Sequence, residues 1–295
     1  MVGGNPRRGL ADAHLRNLRC QRSHLQDQSR ALRLRKRSRE TPRPIVSVVE
    51  IFDDLAAEFA RLESILDALT PEQWLHPSGV PNWSVCDVVL HLAQSEEAVV
   101  ASATGAAPID AGDLRGLEVN TVDAIMDVLV RTQRAEPDVV FDRWKHGHRR
   151  ALTALANADP EVRLAWAAAP LKPAALATTR IAETWAHALD VTEPFGIALP
   201  DEDRLRHVAW LGHRSLPYAF SLAGMQAPEV RAELTSADGS TTWVFGSDAA
   251  ASVISGPLGA FCRVGAQRLA PSESGLKTAG PCGEAALNLL RNYAK

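Results

Sequence analysis

Glu183 and His187, whose side chains are of types that can bind metal ions, lie four residues apart in the segment RIAETWAHALDV, residues 180–191. If the segment is helical, Glu183 and His187 project from one face about a turn apart, and Asp190 follows on much the same face. A carboxylate and an imidazole at this spacing can bind one small cation, as in metal sites built between the helices of a bundle. The same spacing also arises by chance as a solvated surface pair, so the segment alone leaves both interpretations open.

A second candidate ligand, His91, lies in the segment WSVCDVVLHLAQSEEAVV, residues 83–100. The helical pattern places its imidazole at the edge of an apolar stripe formed by Val85, Val88, Val89 and Leu92. A histidine at such an edge is either a hydrogen-bonded core residue or a ligand. On its own it does not distinguish the two.

The elements that position these residues are predicted to be helices. Ser84 is a candidate N-cap with Asp87 in the capping-box position, which predicts a helix to about residue 104. Thr178 or Thr179 is expected to cap the helix that carries Glu183. The segment HGHRR at 146–150 is interpreted as a solvated helix face.

The chain changes character after Gly224. Alternating apolar and polar residues around Asp238-Gly239 predict a β-hairpin, and residues 249–270 are expected to form a helix interrupted by GPLG. The predicted fold class is mainly α with a smaller α+β domain: a four-helix bundle over residues 46–222, followed by an α+β domain over residues 226–295.

The net charge of −3 conceals a basic N-terminal leader, residues 1–45. Residues 1–44 carry 12 Lys and Arg against three acidic residues, so the remainder is acidic. The leader is interpreted as a disordered extension rather than as a nucleic-acid arm or a targeting peptide. No membrane or nucleic-acid partner is expected.

Four scattered cysteines without a CxxC pair argue against a disulfide scaffold and favour a cytoplasmic location.

The segments PNWSVCDVVLHLA and RIAETWAHALDV, with an α+β part after them, resemble the DinB-like proteins, in particular the mycothiol-dependent maleylpyruvate isomerase family. The resemblance covers about residues 46–295. It implies that His91, Glu183 and His187 are the three ligands of a divalent metal, zinc by preference. The segments RHVAWLGHRSLPYAF, DGSTTWVFG and ISGPLGAFCRVGAQR are most similar to an uncharacterised actinobacterial metal-binding subfamily with a wyosine-formation-like C-terminal domain.

Two histidines and one carboxylate leave a tetrahedral metal with one open position, which is typical of catalytic sites. The resemblance therefore implies an isomerase or transferase in which the metal activates a thiol, mycothiol, for attack on an electrophilic small molecule. Asp190 is expected to orient His187, or else to bond to a neighbouring helix. Arg263 and Arg268 are candidates for binding an anionic substrate, with an ordinary surface role as the alternative.

Two other functions use the same ligands. A metal-dependent hydrolase would use water as the nucleophile and needs a general base near the open position, for which Asp190 and Glu97 are the candidates. A non-catalytic metal-binding protein would keep the ion as a structural element and tolerate a fourth protein ligand.

Overall fold

The computed structural model describes residues 48–106, 121–166 and 169–293. The leader predicted for residues 1–45 lies outside the described residues. The described chain forms two compact units, one ending at Pro200 and one spanning Asp201–Asn292. The boundary therefore falls before residue 222, where the sequence pattern placed the end of the bundle.

The first unit is helical. Its helices are α1 (Val48–Asp67), α2 (Pro71–Leu75), α3 (Val85–Ala103), α4 (Val122–Thr132), α5 (Pro137–Asn157) and α6 (Pro173–Thr192), and a short 3-10 turn, Glu193–Phe195, ends the run. The four long helices α1, α3, α5 and α6 pack into a bundle, with α3 against α5 and α1 against α6 as the main contacts. The bundle core is filled by large apolar side chains, among them Leu55, Phe59, Leu92, Trp144 and Trp185.

Helix α3 begins as the sequence predicts. The Ser84 side chain accepts a hydrogen bond from the Asp87 backbone N–H at 3.1 Å, and the Asp87 carboxylate accepts one from the Ser84 N–H at 2.9 Å. This reciprocal capping box satisfies two N–H groups that a helix start leaves without partners. The capping box therefore defines where the helix that carries His91 begins.

Helix α6 begins earlier than predicted, at Pro173. Proline suits the first helical position because its missing N–H would have no partner there. Thr178 and Thr179 lie inside the helix, where their hydroxyls donate to the carbonyls of Ala174 and Leu176 at 3.0 and 2.7 Å. The assignment of either threonine as the cap was therefore wrong.

The HGHRR segment is not a fully solvated face, because Gly147 and His148 are buried in α5. His148 lies between the rings of Phe59 and Trp144, with centroids 4.8 and 4.6 Å away. Its Nε2 lies 3.1 Å from a Glu63 carboxylate oxygen, and burial lowers the pKa of this imidazole despite that partner. The solvated interpretation holds for His146, Arg149 and Arg150, which are exposed.

The second unit combines helices with a four-stranded sheet. Its elements are α7 (Leu205–Arg214), α8 (Leu216–Leu222), β1 (Val230–Thr235), β2 (Thr242–Phe245), β3 (Ser252–Pro257), α9 (Leu258–Gly265), the 3-10 turn Pro271–Glu273, β4 (Lys277–Ala279) and α10 (Gly283–Leu289). The strand order is β2-β1-β3-β4, with β1 and β3 parallel and the outer pairs antiparallel. The predicted hairpin is the β1–β2 pair, joined through Asp238-Gly239.

The structure differs from two of the sequence-based predictions for this unit. Residues 252–257 form strand β3 rather than the first part of a helix, since pairing with β1 and β4 satisfies their backbone groups. Helix α7 packs against α9, with Leu205, Val208 and Ala209 buried, so this helix belongs to the second unit and not to the bundle. Among the described residues, no helix combines the length and apolar character needed to cross a membrane.

Candidate metal centre

Two helices of the bundle bring the predicted ligands together. His91 lies in the middle of α3, while Glu183 and His187 lie one turn apart on α6. The helices run in opposite directions, since His91 contacts Glu183 and the later residue Glu96 contacts the earlier residue Arg180. The imidazole from α3 therefore meets the carboxylate and the imidazole from α6 at one level of the bundle.

The three side chains converge through one carboxylate oxygen. Glu183 Oε1 lies 2.9 Å from His91 Nε2 and 3.4 Å from His187 Nε2. The two imidazole rings meet edge to face, with centroids 4.9 Å apart. One ligand atom from each residue lies within 4.8 Å of the other two. The family resemblance implied these three residues as a set, and their ligand atoms lie close together.

The cluster is partly open to solvent. Side-chain exposure is 10% for His91 and 13% for His187, but 31% for Glu183. The carboxylate therefore lies at the mouth of the cluster, with the two imidazoles deeper in the bundle. A cluster with this exposure gradient is reachable by a small ion or molecule, whereas a fully buried cluster is not.

The charges in the cluster are strongly coupled. Burial would raise the pKa of Glu183, but hydrogen bonds with His187 and His91 outweigh it and hold this pKa well below its usual range. Burial would likewise lower the pKa of His187, yet its bonds to Asp190 and Glu183 raise it to about 9. Burial lowers the pKa of His91. Without a metal, one imidazolium and one carboxylate thus hold the cluster together, with His91 neutral.

Asp190 contacts the second imidazole, that of His187. Its Oδ2 lies 2.9 Å from His187 Nδ1, and its side chain is buried, at 1% exposure. With Nδ1 directed at Asp190, the Nε2 atom of His187 faces Glu183. Carboxylates hydrogen-bonded to ligating histidines fix ring orientation and tautomer in this way.

His91 has a different environment. The ring of Trp83 packs against it with centroids 5.3 Å apart, and the Trp83 indole N–H donates to Asp127 at 3.0 Å. The Nδ1 atom of His91 is buried and has no hydrogen-bond partner among the described residues. The orientation of this ring is therefore set by its Nε2 contact with Glu183 and by packing, with no hydrogen bond at Nδ1 among the described residues.

The residues present fit a divalent metal. Two imidazole nitrogens and one carboxylate oxygen form the donor set of many catalytic zinc sites. Zinc bonds of roughly 2.0–2.1 Å in a tetrahedron place neighbouring ligand atoms roughly 3.3 Å apart. The observed distances of 2.9 and 3.4 Å from Glu183 Oε1 to the two Nε2 atoms bracket that spacing.

The remaining predicted residues are engaged elsewhere. Arg263 belongs to the second unit and forms a two-point ion pair with Asp201 at 2.8 and 3.0 Å. Arg268 of the same unit donates to the Ala266 carbonyl at 2.8 Å. Their role in substrate binding stays a prediction. Glu97, a candidate general base, accepts two hydrogen bonds of 2.7 Å from Arg143.

Sequence reasoning missed two features that border the cluster. Gly79, in the loop before α3, contacts Asp190 through its backbone. Glu96 and Arg180 form a buried ion pair between the same two helices. Neither feature has a local sequence signal, because each depends on residues more than 80 positions apart meeting in the fold.

The antiparallel helical bundle with its His–Glu–His cluster has the features expected from the resemblance to the DinB-like proteins. A family model described as the mycothiol maleylpyruvate isomerase N-terminal domain matches residues 55–192. The chain is similar to this family over that segment, which contains all three candidate ligands. The resemblance drawn from the two sequence segments is thereby confirmed.

Individual proteins and solved structures are similar to most of this chain. Two uncharacterized proteins from strains of Mycobacterium tuberculosis are each 28% identical over 243 residues, which cover 82% of this chain and 94% of theirs. The crystal structure of the mycothiol-dependent maleylpyruvate isomerase superposes with a TM-score of 0.54 at 16% identity, covering 79% of this chain and 93% of that one. A single-residue mutant of that enzyme gives a TM-score of 0.53 at 15% identity. At such identities the likeness concerns the fold.

Proposed function

We propose that this protein is a metal-dependent enzyme of the mycothiol-dependent isomerase or transferase type, with His91, Glu183 and His187 holding a divalent ion, zinc by preference. The observation that carries the proposal is the convergence of both Nε2 atoms on one Glu183 oxygen, at 2.9 and 3.4 Å. This convergence occurs inside a segment that matches the mycothiol maleylpyruvate isomerase N-terminal domain.

A divalent ion at this position would favour the thiolate form of a bound thiol and supply a nucleophile at neutral pH. The thiolate would add to an activated double bond of the electrophile or displace a leaving group from it. The protein's own contribution is orientation. Asp190 fixes the His187 ring through Nδ1, Trp83 packs on the His91 ring, and the exposed side of Glu183 leaves the cluster open to solvent.

The hydrolase alternative has less support. Both candidate general bases are already committed: Asp190 to His187, and Glu97 to Arg143 through two short hydrogen bonds. A base that must accept a proton from water needs a free lone pair directed at the open position. The non-catalytic alternative would tolerate a fourth protein ligand, whereas the group within ligand distance among the described residues has three members.

The test has two stages, beginning with metal content. The protein is purified with its metal, and the stoichiometry is compared among wild type, His91→Ala, His187→Ala and the control His146→Ala, whose imidazole is exposed on α5. We expect about one ion per chain in wild type and control, and a large loss in the two ligand variants. Wild-type stoichiometry in both ligand variants would contradict the site.

The second stage measures turnover of electrophilic substrates, including maleylpyruvate, with and without mycothiol. Turnover that requires both the metal and mycothiol supports the isomerase or transferase assignment. Metal-dependent turnover without any thiol would favour the hydrolase. Stoichiometric metal without turnover of either kind would favour a metal-binding protein.

A further inference from the structure

The loop before α3 contacts His91 of the candidate metal centre directly, and it contacts Asp190, which is bonded to His187. This loop, residues 77–84, is closed at its base by a β-bridge between Pro77 and Ser84. At one point it contacts Asp190, the residue bonded to His187. At another, Trp83 packs against His91. The loop therefore spans the two ligating rings.

The loop is internally braced. The Ser78 backbone N–H and its hydroxyl both donate to the Trp83 carbonyl, each at 2.9 Å, and the Ser78 hydroxyl accepts from the Val80 N–H at 3.1 Å. The Trp83 N–H donates to the Val80 carbonyl at 3.2 Å. These bonds tie its two contact points to each other, so a displacement at one is transmitted to the other.

Gly79 makes the contact with α6. Its N–H donates to the Asp190 carbonyl at 2.8 Å. A Cβ built on Gly79 would lie 3.0 Å from both the Asp190 Cα and the Asp190 Oδ1. That approach is closer than side-chain carbons ordinarily make, so the absence of a side chain at this position allows the loop to rest on Asp190.

Gly79 is distinct from the glycines that serve backbone geometry. The left-handed glycines of the chain include Gly105, Gly196 and Gly239, and Gly79 is not among them. At a position with ordinary backbone angles, replacing glycine by alanine normally stabilises a protein by about 0.4–1 kcal/mol, because the unfolded chain loses freedom. A loss of function on that replacement would therefore report the close approach to Asp190.

We propose that Gly79 is a positioning residue for the metal centre: its close approach holds Asp190 in the orientation that directs His187 Nε2 toward Glu183. This inference rests on the proposed metal site. An added methyl group requires Asp190 or the loop to shift by a few tenths of an ångström, and such a shift alters the support of His187. Loss of such hydrogen-bonded support typically weakens metal binding about 10–100-fold.

The experiment compares Gly79→Ala with the control Gly147→Ala. A Cβ on Gly147 meets its nearest neighbours at the ordinary distance of 3.5 Å, so this control adds the same methyl group to the bundle without crowding the site. Zinc affinity is measured by chelator competition, and ligand geometry by the visible absorption of the Co²⁺-substituted full-length protein. We expect about tenfold weaker zinc binding and a changed Co²⁺ spectrum in Gly79→Ala, and wild-type values in Gly147→Ala.

A double-mutant cycle separates this role from a general effect on folding. In an Asp190→Ala background the crowded carboxylate is absent, so Gly79→Ala should weaken zinc binding by less than about twofold. Wild-type affinity and spectrum in Gly79→Ala would overturn the inference, as would an undiminished tenfold effect in the Asp190→Ala background. If the wild-type protein bound no zinc, the proposed function itself would fail, and this outcome is separate from the other two.

Discussion

The helix pair α3 and α6 carries two polar clusters in adjacent turns, and they are built differently. In the first, His91, Glu183 and His187 share one carboxylate oxygen and reach solvent through Glu183. In the second, Arg180 donates to Glu96 at 2.9 Å, with side-chain exposures of 3% and 0%. The first cluster is partly open to solvent, whereas the second is buried in the core.

The charges of the buried Glu96–Arg180 pair also reflect its isolation from solvent. Burial raises the pKa of Glu96 although Arg180 opposes this, and the second oxygen of Glu96 has no hydrogen-bond partner among the described residues. Burying an ion pair costs desolvation free energy, and the attraction between the two charges only partly offsets this cost. Such a pair is better suited to fixing the register of two helices than to adding stability. We therefore interpret the Glu96–Arg180 pair as the element that aligns α3 with α6, so that the histidines meet.

The largest expected effect comes from breaking the sealed pair on one side. Arg180→Ala leaves the Glu96 carboxylate buried without a counter-charge, and should lower the free energy of unfolding by about 3–5 kcal/mol. The double variant Glu96→Leu/Arg180→Met removes both charges and should recover most of that loss. Urea denaturation of the metal-free protein measures both values. The exposed pair Lys172–Glu161 supplies the control, since Lys172→Ala should cost less than about 1 kcal/mol.

The double variant also sharpens the comparison of the two clusters. If the pair sets helix register, Glu96→Leu/Arg180→Met should regain stability but bind zinc more weakly than wild type. Zinc affinity equal to wild type in that stable variant would show that packing alone aligns the helices. A double variant as unstable as Arg180→Ala would contradict the view that a desolvated charge causes the loss.

Metal removal is the next largest effect and acts on the open cluster alone. At free zinc about 100 times its dissociation constant, binding should stabilise the fold by about 2.7 kcal/mol. For a unit of this size, that corresponds to a rise in the thermal midpoint of roughly 5–10 °C. Chelation should abolish the rise in wild type, and the variant His91→Ala/His187→Ala should show none. A zinc-dependent rise that persists in this variant would place the ion elsewhere.

The contrast between the clusters also explains what the sequence could predict. Ser84 and Asp87 form the expected capping box, and Asp238-Gly239 forms the expected turn, because both depend on neighbours in the chain. Glu183 and His187 could be paired from helical spacing for the same reason. Local periodicity predicts local contacts well.

Local sequence patterns could not connect His91 with Glu183 and His187. The contact with Glu183 spans 92 positions, and only the resemblance of two separate segments to one family connected them. The contacts of Gly79 with Asp190 and of Glu96 with Arg180 depend on how closely loop and helices approach in three dimensions. The boundary between the units was missed because the pattern of α7 shows a buried face, but not which unit covers it.

A further ion pair on α3, between Asp87 and Arg134, is expected to have a smaller effect on the free energy of unfolding. Asp87 accepts two hydrogen bonds from Arg134 at 2.8 and 2.9 Å, and the Arg134 side chain is 53% exposed. Burial would raise the pKa of Asp87, but the bonds from Arg134 and Ser84 lower it below its ordinary value. Its stabilisation is therefore present above the unfolded pKa of about 3.9 and is lost as pH falls through the lower folded value.

Asp87→Asn keeps an oxygen for the Ser84 N–H but removes the charge that Arg134 pairs with. We expect a loss of about 1 kcal/mol at pH 7, smaller than that for Arg180→Ala because solvent screens the exposed guanidinium. The difference between wild type and variant should shrink as the pH is lowered from 5 toward 3, measured by urea denaturation across that range. A difference that is constant with pH would mean that shape at the capping box, and not the charge of Asp87, stabilises the start of α3.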